Sequence, residues 1–73
     1  MPHITVQMYP GRSDEQKQAL AKALVETASK TLNREIEHFS VSVVDVPQEE
    51  WKEKVYNSAI DPNNTEIFIR PGY

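Results

Sequence analysis

Apolar and polar residues alternate from the start of the chain. Ile4, Val6 and Met8 are separated by Thr5 and Gln7, a period of two that predicts a strand over His3 to Tyr9. Pro10-Gly11 then breaks the pattern. Ser13 and Gln16 have the spacing of a capping box, in which the serine hydroxyl takes the amide hydrogen of Gln16 and the glutamine side chain reaches back, so a helix should begin at Asp14. Leu20, Ala23, Leu24, Thr27, Ala28, Thr31 and Leu32 recur at three- and four-residue steps. They form an apolar stripe opposite Lys17, Gln18, Lys22, Glu26, Ser29 and Lys30, and the helix should run to about Leu32. At 1.5 Å per residue it spans about 28 Å, enough to return the chain to the start of a sheet.

Asn33-Arg34-Glu35 has no apolar period and reads as a loop. From His38 to Val46 the alternation returns, filled with β-branched residues, and predicts a second strand. Strand, helix and strand joined by so long a crossover imply a parallel pair with a right-handed connection. Pro47 ends the strand and opens a helical turn through Trp51, continuing past Val55 and Tyr56 towards Ile60. Asp61-Pro62-Asn63-Asn64 is a dense turn signal, and Glu66 to Arg70 reads as a short third strand stopped by Pro71-Gly72. The expected fold is α/β (α+β): one β-α-β unit, a short second helix and a short carboxy-terminal strand, in a single domain over residues 1–73. One helix covers one face of the strand pair, so the other face should find a second copy, giving an oligomer.

Composition narrows the possibilities. A domain of 73 residues buries only about 60% of the surface its unfolded chain exposes. Without cysteines, disulfides and thiolate metal sites are excluded, which leaves association as the route to stability. Only His3 and His38 could ligate a soft metal, too few for a zinc site. The net charge of -3 and pI near 5.2 argue against a nucleic-acid partner. No apolar run approaches the roughly 18 residues of a membrane span and no leader precedes the first strand, so a cytoplasmic protein without a membrane partner is expected.

The position with distinctive chemistry is Pro2. Once Met1 is removed, its nitrogen becomes a free secondary amine, a base or nucleophile that an acylated proline cannot be. The strand that follows ends in a turn carrying Arg12, directly before the helix cap.

Together the proline, the strand and the run Gly11-Arg12-Ser13-Asp14-Glu15-Gln16-Lys17 resemble the tautomerase superfamily, in its small 4-oxalocrotonate tautomerase-like group. The resemblance covers nearly the whole chain. It implies that Pro2 is the catalytic general base and acid, that Arg12 meets a substrate carboxylate, and that Trp51 forms an aromatic pocket wall. Ser40 falls where the 4-oxalocrotonate enzyme has its second substrate-binding arginine, which argues for a monocarboxylate. Pro2-His3-Ile4, Trp51 and the ending Arg70-Pro71-Gly72-Tyr73 look more like the PptA-type branch, whose members act on phenylpyruvate-like enols and tend to be dimers.

The resemblance thus implies a cofactor-independent keto-enol tautomerase acting on a small carboxylate-bearing enol or 2-keto acid. Its substrate-binding residues would be Arg12, Ser40 and Trp51, with no metal and no cofactor, in a homodimer or alternatively a homohexamer. An amine serves as both base and acid when its pKa lies near the working pH. An ordinary α-amino group titrates at about 7.7–8.0 and a secondary amine is more basic, so the site must depress it. Apolar neighbours such as Ile4, Phe39 or Trp51 would desolvate the ammonium, and Arg12 would repel it. A related proline-dependent decarboxylase, hydratase or dehalogenase, or a non-catalytic oligomeric module, are the alternatives. His3 is expected to face a neighbouring subunit and His38 to lie on the surface; Arg70 is either an exposed edge-strand charge or a second cation supplied from the arm.

Overall fold

A computed structural model describes all of residues 1–73. Strand β1 spans His3–Met8, helix α1 Asp14–Leu32 and strand β2 Ser40–Asp45. The strands pair in parallel, from His3 opposite Ser40 to Met8 opposite Asp45. This is the expected β-α-β unit, with both strands slightly shorter than the alternation suggested.

The capping box forms as predicted. Gln16 N–H donates to Ser13 Oγ at 3.1 Å and Ser13 N–H donates to Gln16 Oε1 at 3.1 Å. Asn33 ends α1 in the left-handed conformation, φ 54°, which asparagine tolerates well. The chain then turns through Ile36–His38, a single 3-10 turn that replaces the expected first residues of the second strand.

The face that α1 turns to the sheet is rotated from the predicted stripe. Lys17, Leu20, Ala21, Leu24, Val25, Ala28 and Ser29 are half-buried, whereas Ala23, Thr27, Thr31 and Leu32 are exposed. Ala21 and Val25 border a groove with Phe39 and Val41, and a valine gains more from burial there than Thr27 or Thr31 would. Lys17, expected on the solvated face, instead binds Asp45 at 3.0 Å and ties the start of the helix to the end of β2.

The second helix differs in kind. A 3-10 turn over Gln48–Glu50 leads into a single π-turn over Lys52–Tyr56. Asn57 N–H donates back to the Lys52 carbonyl at 2.8 Å, five residues away. The widened turn buries Val55 to 4% exposure and brings Tyr56 beside Tyr73. Lys54 pairs with Glu50 on the outer side; that hydrogen bond and the carboxylate's charge raise the lysine pKa.

The third strand is not formed. Residues 66–70 carry no strand structure, and the sheet holds β1 and β2 alone. A strand exists by pairing, and this segment pairs with neither β1 nor β2. Instead Arg70 turns its guanidinium to four carbonyls, those of Ile60 at 3.5 Å, Asp61 at 3.4 Å, Pro62 at 3.2 Å and Asn64 at 3.0 Å. The arm is pinned as irregular backbone, with Phe68 and Ile69 94% and 89% exposed.

Only Val46 and Val55 are fully buried. The uncovered sheet face, carrying His3, Thr5, Ser40 and Ser42, is polar: His3 Nδ1 and Ser40 Oγ share a hydrogen bond of 2.7 Å, and Ser42 Oγ lies 3.4 Å from His3 Nε2. Apart from Val44 on this face, the unfinished apolar surface lies elsewhere, at Tyr9, Leu32, Ile36, Phe68 and Ile69. Stability should therefore depend on protein concentration. Thermal melts over a hundredfold dilution series are expected to show a falling Tm, as linkage to association requires. Ser13→Ala, which removes the cap, should cost about 1 kcal/mol at any fixed concentration.

Candidate active site

The amino end of β1 holds Pro2. The proline is half-buried, and its carbonyl accepts a hydrogen bond of 3.3 Å from the Ser40 N–H. Ser40 is thus beside the candidate base in the same chain, with its hydroxyl engaged by His3. A cavity of about 490 Å³ opens here, lined by Met1, Pro2, Leu32, Arg34 and His38. The left-handed turn at Asn33 creates this opening by folding Arg34 and the Ile36–His38 turn back towards the strand start. The turn is held by Arg34 N–H donating to the Ser29 carbonyl at 3.1 Å and by Ser29 Oγ donating to the Arg34 carbonyl. Met1 still acylates Pro2 in the 73-residue chain, and it is 99% exposed.

The carboxyl end of β1 holds Arg12 and Trp51. Gly11 takes φ 123°, a conformation a side chain would strain, and so turns the chain between the strand and the helix cap. Arg12 follows and lines a cavity of about 260 Å³ with Met8, Gln16, Lys17 and Leu20. It takes part in neither of the two ion pairs, Lys17–Asp45 and Lys54–Glu50. Tyr9, at the strand end, meets Trp51 edge to face, with ring centroids 5.0 Å apart at 87°. The indole N–H donates to the Tyr73 hydroxyl at 3.3 Å, and Tyr73 leans on Tyr56 at 5.9 Å.

The candidate residues therefore form two groups. Pro2 precedes the six-residue strand and Arg12 follows it; at about 3.3 Å per residue the strand alone separates them by about 20 Å. Ser40 belongs to the Pro2 group, and Trp51 to the Arg12 group. Phe39, expected beside Trp51 against the amine, lines a separate groove between α1 and β2 with Val25, Ile36 and Val41. Arg70 is occupied by carbonyls rather than offered to a ligand. The pattern of the sequence did not single out Arg34 and His38 as neighbours of Pro2, because a left-handed turn leaves little trace beyond an asparagine. Nor did it single out Tyr9, Tyr56 and Tyr73; the one available signal was that an indole N–H at least partly removed from water needs an acceptor.

With this geometry established, comparison with known proteins decides the family. The tautomerase enzyme family matches residues 2–53. The chain belongs to that family.

It is 40% identical over 73 residues to a probable tautomerase of Xylella fastidiosa, covering all of this chain and 89% of that one. It is 36% identical over 74 residues to the tautomerase PptA of an Enterobacter species, covering all of this chain and 97% of the relative. Among solved structures, an unfused 4-oxalocrotonate tautomerase in its apo form superposes with a TM-score of 0.64 at 39% identity, over 67% of this chain and 80% of that one. TomN, a 4-oxalocrotonate tautomerase homologue of the tomaymycin biosynthetic pathway, gives 0.66 at 38% identity, over 68% and 77%. The resemblance read from Pro2, Arg12 and the turn is borne out, and the chain is a tautomerase, an isomerase. The family match ends at residue 53, before the π-turn is complete and before the arm begins.

Because Arg70 fastens that arm, Arg70→Ala should free it without unfolding β1, α1 and β2. Hydrogen exchange is expected to accelerate at the amides of Asn64 and Glu66, which are bonded in turns at 2.9 Å and 2.9 Å, while the strand amides keep wild-type protection.

Proposed function

We propose that this tautomerase ketonises a small enol bearing one carboxylate, of the phenylpyruvate type, with Pro2 as general base and acid after removal of Met1 and without a cofactor. The observation that carries the reading is the placement of a strand-leading proline at one end of β1 and an arginine free of ion pairs with an aromatic wall at the other. The full exposure of Met1 suits it to removal by an aminopeptidase.

The two groups lie too far apart to meet one small substrate in a single chain. One edge of β1 is taken by β2 and the other is free. Two-fold pairing along the free edges would run the two β1 strands antiparallel and set Pro2 of one protomer near the partner's Arg12 and the partner's Trp51. A homodimer with two shared sites follows. Such pairing also accounts for a chain that buries only two residues alone.

In the shared site the Arg12 guanidinium grips the substrate carboxylate with two parallel hydrogen bonds. The neutral Pro2 amine takes the proton from the enol hydroxyl. As the oxygen becomes a carbonyl, the electron pair of the carbon–carbon double bond accepts the proton that the ammonium returns, so one proton moves from oxygen to carbon and the amine is regenerated. The amine must be neutral to begin. Arg34, lining the Pro2 cavity, places a positive charge nearer to it than Arg12 of the same chain does, and a neighbouring cation disfavours the ammonium. Ser40 donates its backbone N–H to Pro2 and so sets the orientation of the strand start. The serine supplies no second cation, which fits a monocarboxylate.

Five measurements test this. Intact mass should show loss of Met1, and ultraviolet assays should show ketonisation of phenylpyruvate enol. Pro2→Ala should lower kcat about a hundredfold or more, whereas Arg12→Ala should act chiefly on KM; unchanged turnover in Pro2→Ala would reject the assignment. Each variant carries the half-site the other lacks, so at substrate well below the KM of Arg12→Ala random remixing of equal amounts should restore about a quarter of wild-type activity in a two-fold dimer. A mixture no more active than its components would reject the shared site. Arg34→Ala should move the acidic limb of the pH–rate profile upward, because removing a cation favours the protonated amine.

A further inference from the structure

Four aromatic residues, Tyr9, Trp51, Tyr56 and Tyr73, come together at the Arg12 end of β1. Three different segments supply them, and the last lies outside the matched family region. Trp51 is held on two sides: Tyr9 packs edge-on at 5.0 Å, and the Tyr73 hydroxyl accepts from the indole N–H at 3.3 Å. A tryptophan at the edge of water keeps its N–H near a hydrogen-bond acceptor, and whichever acceptor is fixed in space also fixes the ring plane.

Tyr73 is such a fixed acceptor even though its side is open. Its ring lies 5.9 Å from that of Tyr56, tilted by 32°. Two residues before it in the chain comes Pro71, whose ring restricts the backbone. Just before that, Arg70 clamps the arm to the carbonyls of Ile60, Asp61, Pro62 and Asn64. The arm is therefore a strap fastened twice, once by Arg70 and once by Tyr73, with only Pro71 and Gly72 between the fastenings. Little freedom remains to be lost when Tyr73 meets the indole.

We propose that Tyr73 is a positioning residue: through its hydroxyl and its stack on Tyr56 it holds the Trp51 indole in place against Tyr9 at the end of β1 that precedes Arg12, so that the carboxy-terminal strap governs how tightly the aromatic side chain of an enol acid is bound. This rests on the assignment of Trp51 as the pocket wall. A wall set before the substrate arrives need not be ordered by it, so the strap acts on binding of the ring and leaves proton transfer at Pro2 untouched.

The test uses the full chain and its single tryptophan, whose emission reports Trp51 alone. Tyr73→Phe keeps the ring and removes the hydroxyl; Tyr73→Leu removes both contacts. Cinnamate, an aromatic monocarboxylate with no enol to react, serves as the binding probe through quenching of Trp51. In Tyr73→Phe the emission maximum should shift, acrylamide quenching should rise, and the cinnamate Kd should weaken about fivefold, the size of one neutral hydrogen bond. The KM for phenylpyruvate enol should rise to match with kcat within about twofold of wild type. A ringless enol acid, the enol of pyruvate, should keep its wild-type KM. Tyr73→Leu should exceed Tyr73→Phe in every aromatic readout.

Wild-type emission and wild-type Kd in Tyr73→Phe would overturn the proposal, as would an emission shift with Kd and KM both unchanged, or an equal rise in KM for the ringless enol. Should neither protein ketonise any enol while Tyr73→Phe still shifts emission and weakens cinnamate, the positioning role stands and the substrate assignment fails.

Discussion

Parallel pairing of β1 with β2 is the constraint on which the rest of the structure depends, because two parallel strands cannot be joined by a tight turn and must be bridged by a long crossover. Helix α1 is that crossover. Its two ends then define the two functional ends of the chain: the cap at Ser13 follows directly on Arg12, and the left-handed turn at Asn33 leads Arg34 and His38 back to Pro2. The register sets Ser40 against His3 and hydrogen-bonds it to the Pro2 carbonyl. Chemistry is thus distributed to opposite ends of one short strand by the same connection that makes the sheet.

The separation and the thin core have a common origin. A single β-α-β unit buries two residues and leaves the outer edge of each strand free; in the proposed dimer, pairing along the β1 edge would also join the half-sites. In the proposed dimer this geometry would couple folding, association and catalysis. Phe68 and Ile69 are almost fully exposed, the kind of apolar surface that would be a liability in a monomer and that the proposed association would account for.

Local signals in the sequence were strong where local physics decides. The alternation over residues 4–8, the capping box at Ser13 and Gln16, and the prolines at positions 10 and 47 each specify backbone through neighbours in the chain, and each element they imply is present. Signals were weak where distant parts compete. The third strand failed because Arg70 holds the arm to the carbonyls of residues 60–64, where it pairs with neither strand, and the helix face rotated because Val25 and Ala21 border a groove with Phe39 and Val41. Arg70 looked like a spare cation and serves as a clamp, since four carbonyls converge on it only after the turn at residues 60–64 has folded.

By itself the sequence determined the β-α-β order and the family, because those rest on residue type at short range and on a contiguous motif; the same motif nominated Pro2, Arg12, Ser40 and Trp51 as candidates. Tertiary structure alone decided that Pro2 keeps company with Ser40, Arg34 and His38, while Arg12 lines a cavity with Met8 and Gln16 at the strand end where Tyr9 meets Trp51. It alone joined Tyr73 to Trp51 across 22 residues. The physical reason is one of distance: an extended strand carries its ends apart by its full length, and only the folding of later segments back onto those ends determines which side chains meet there.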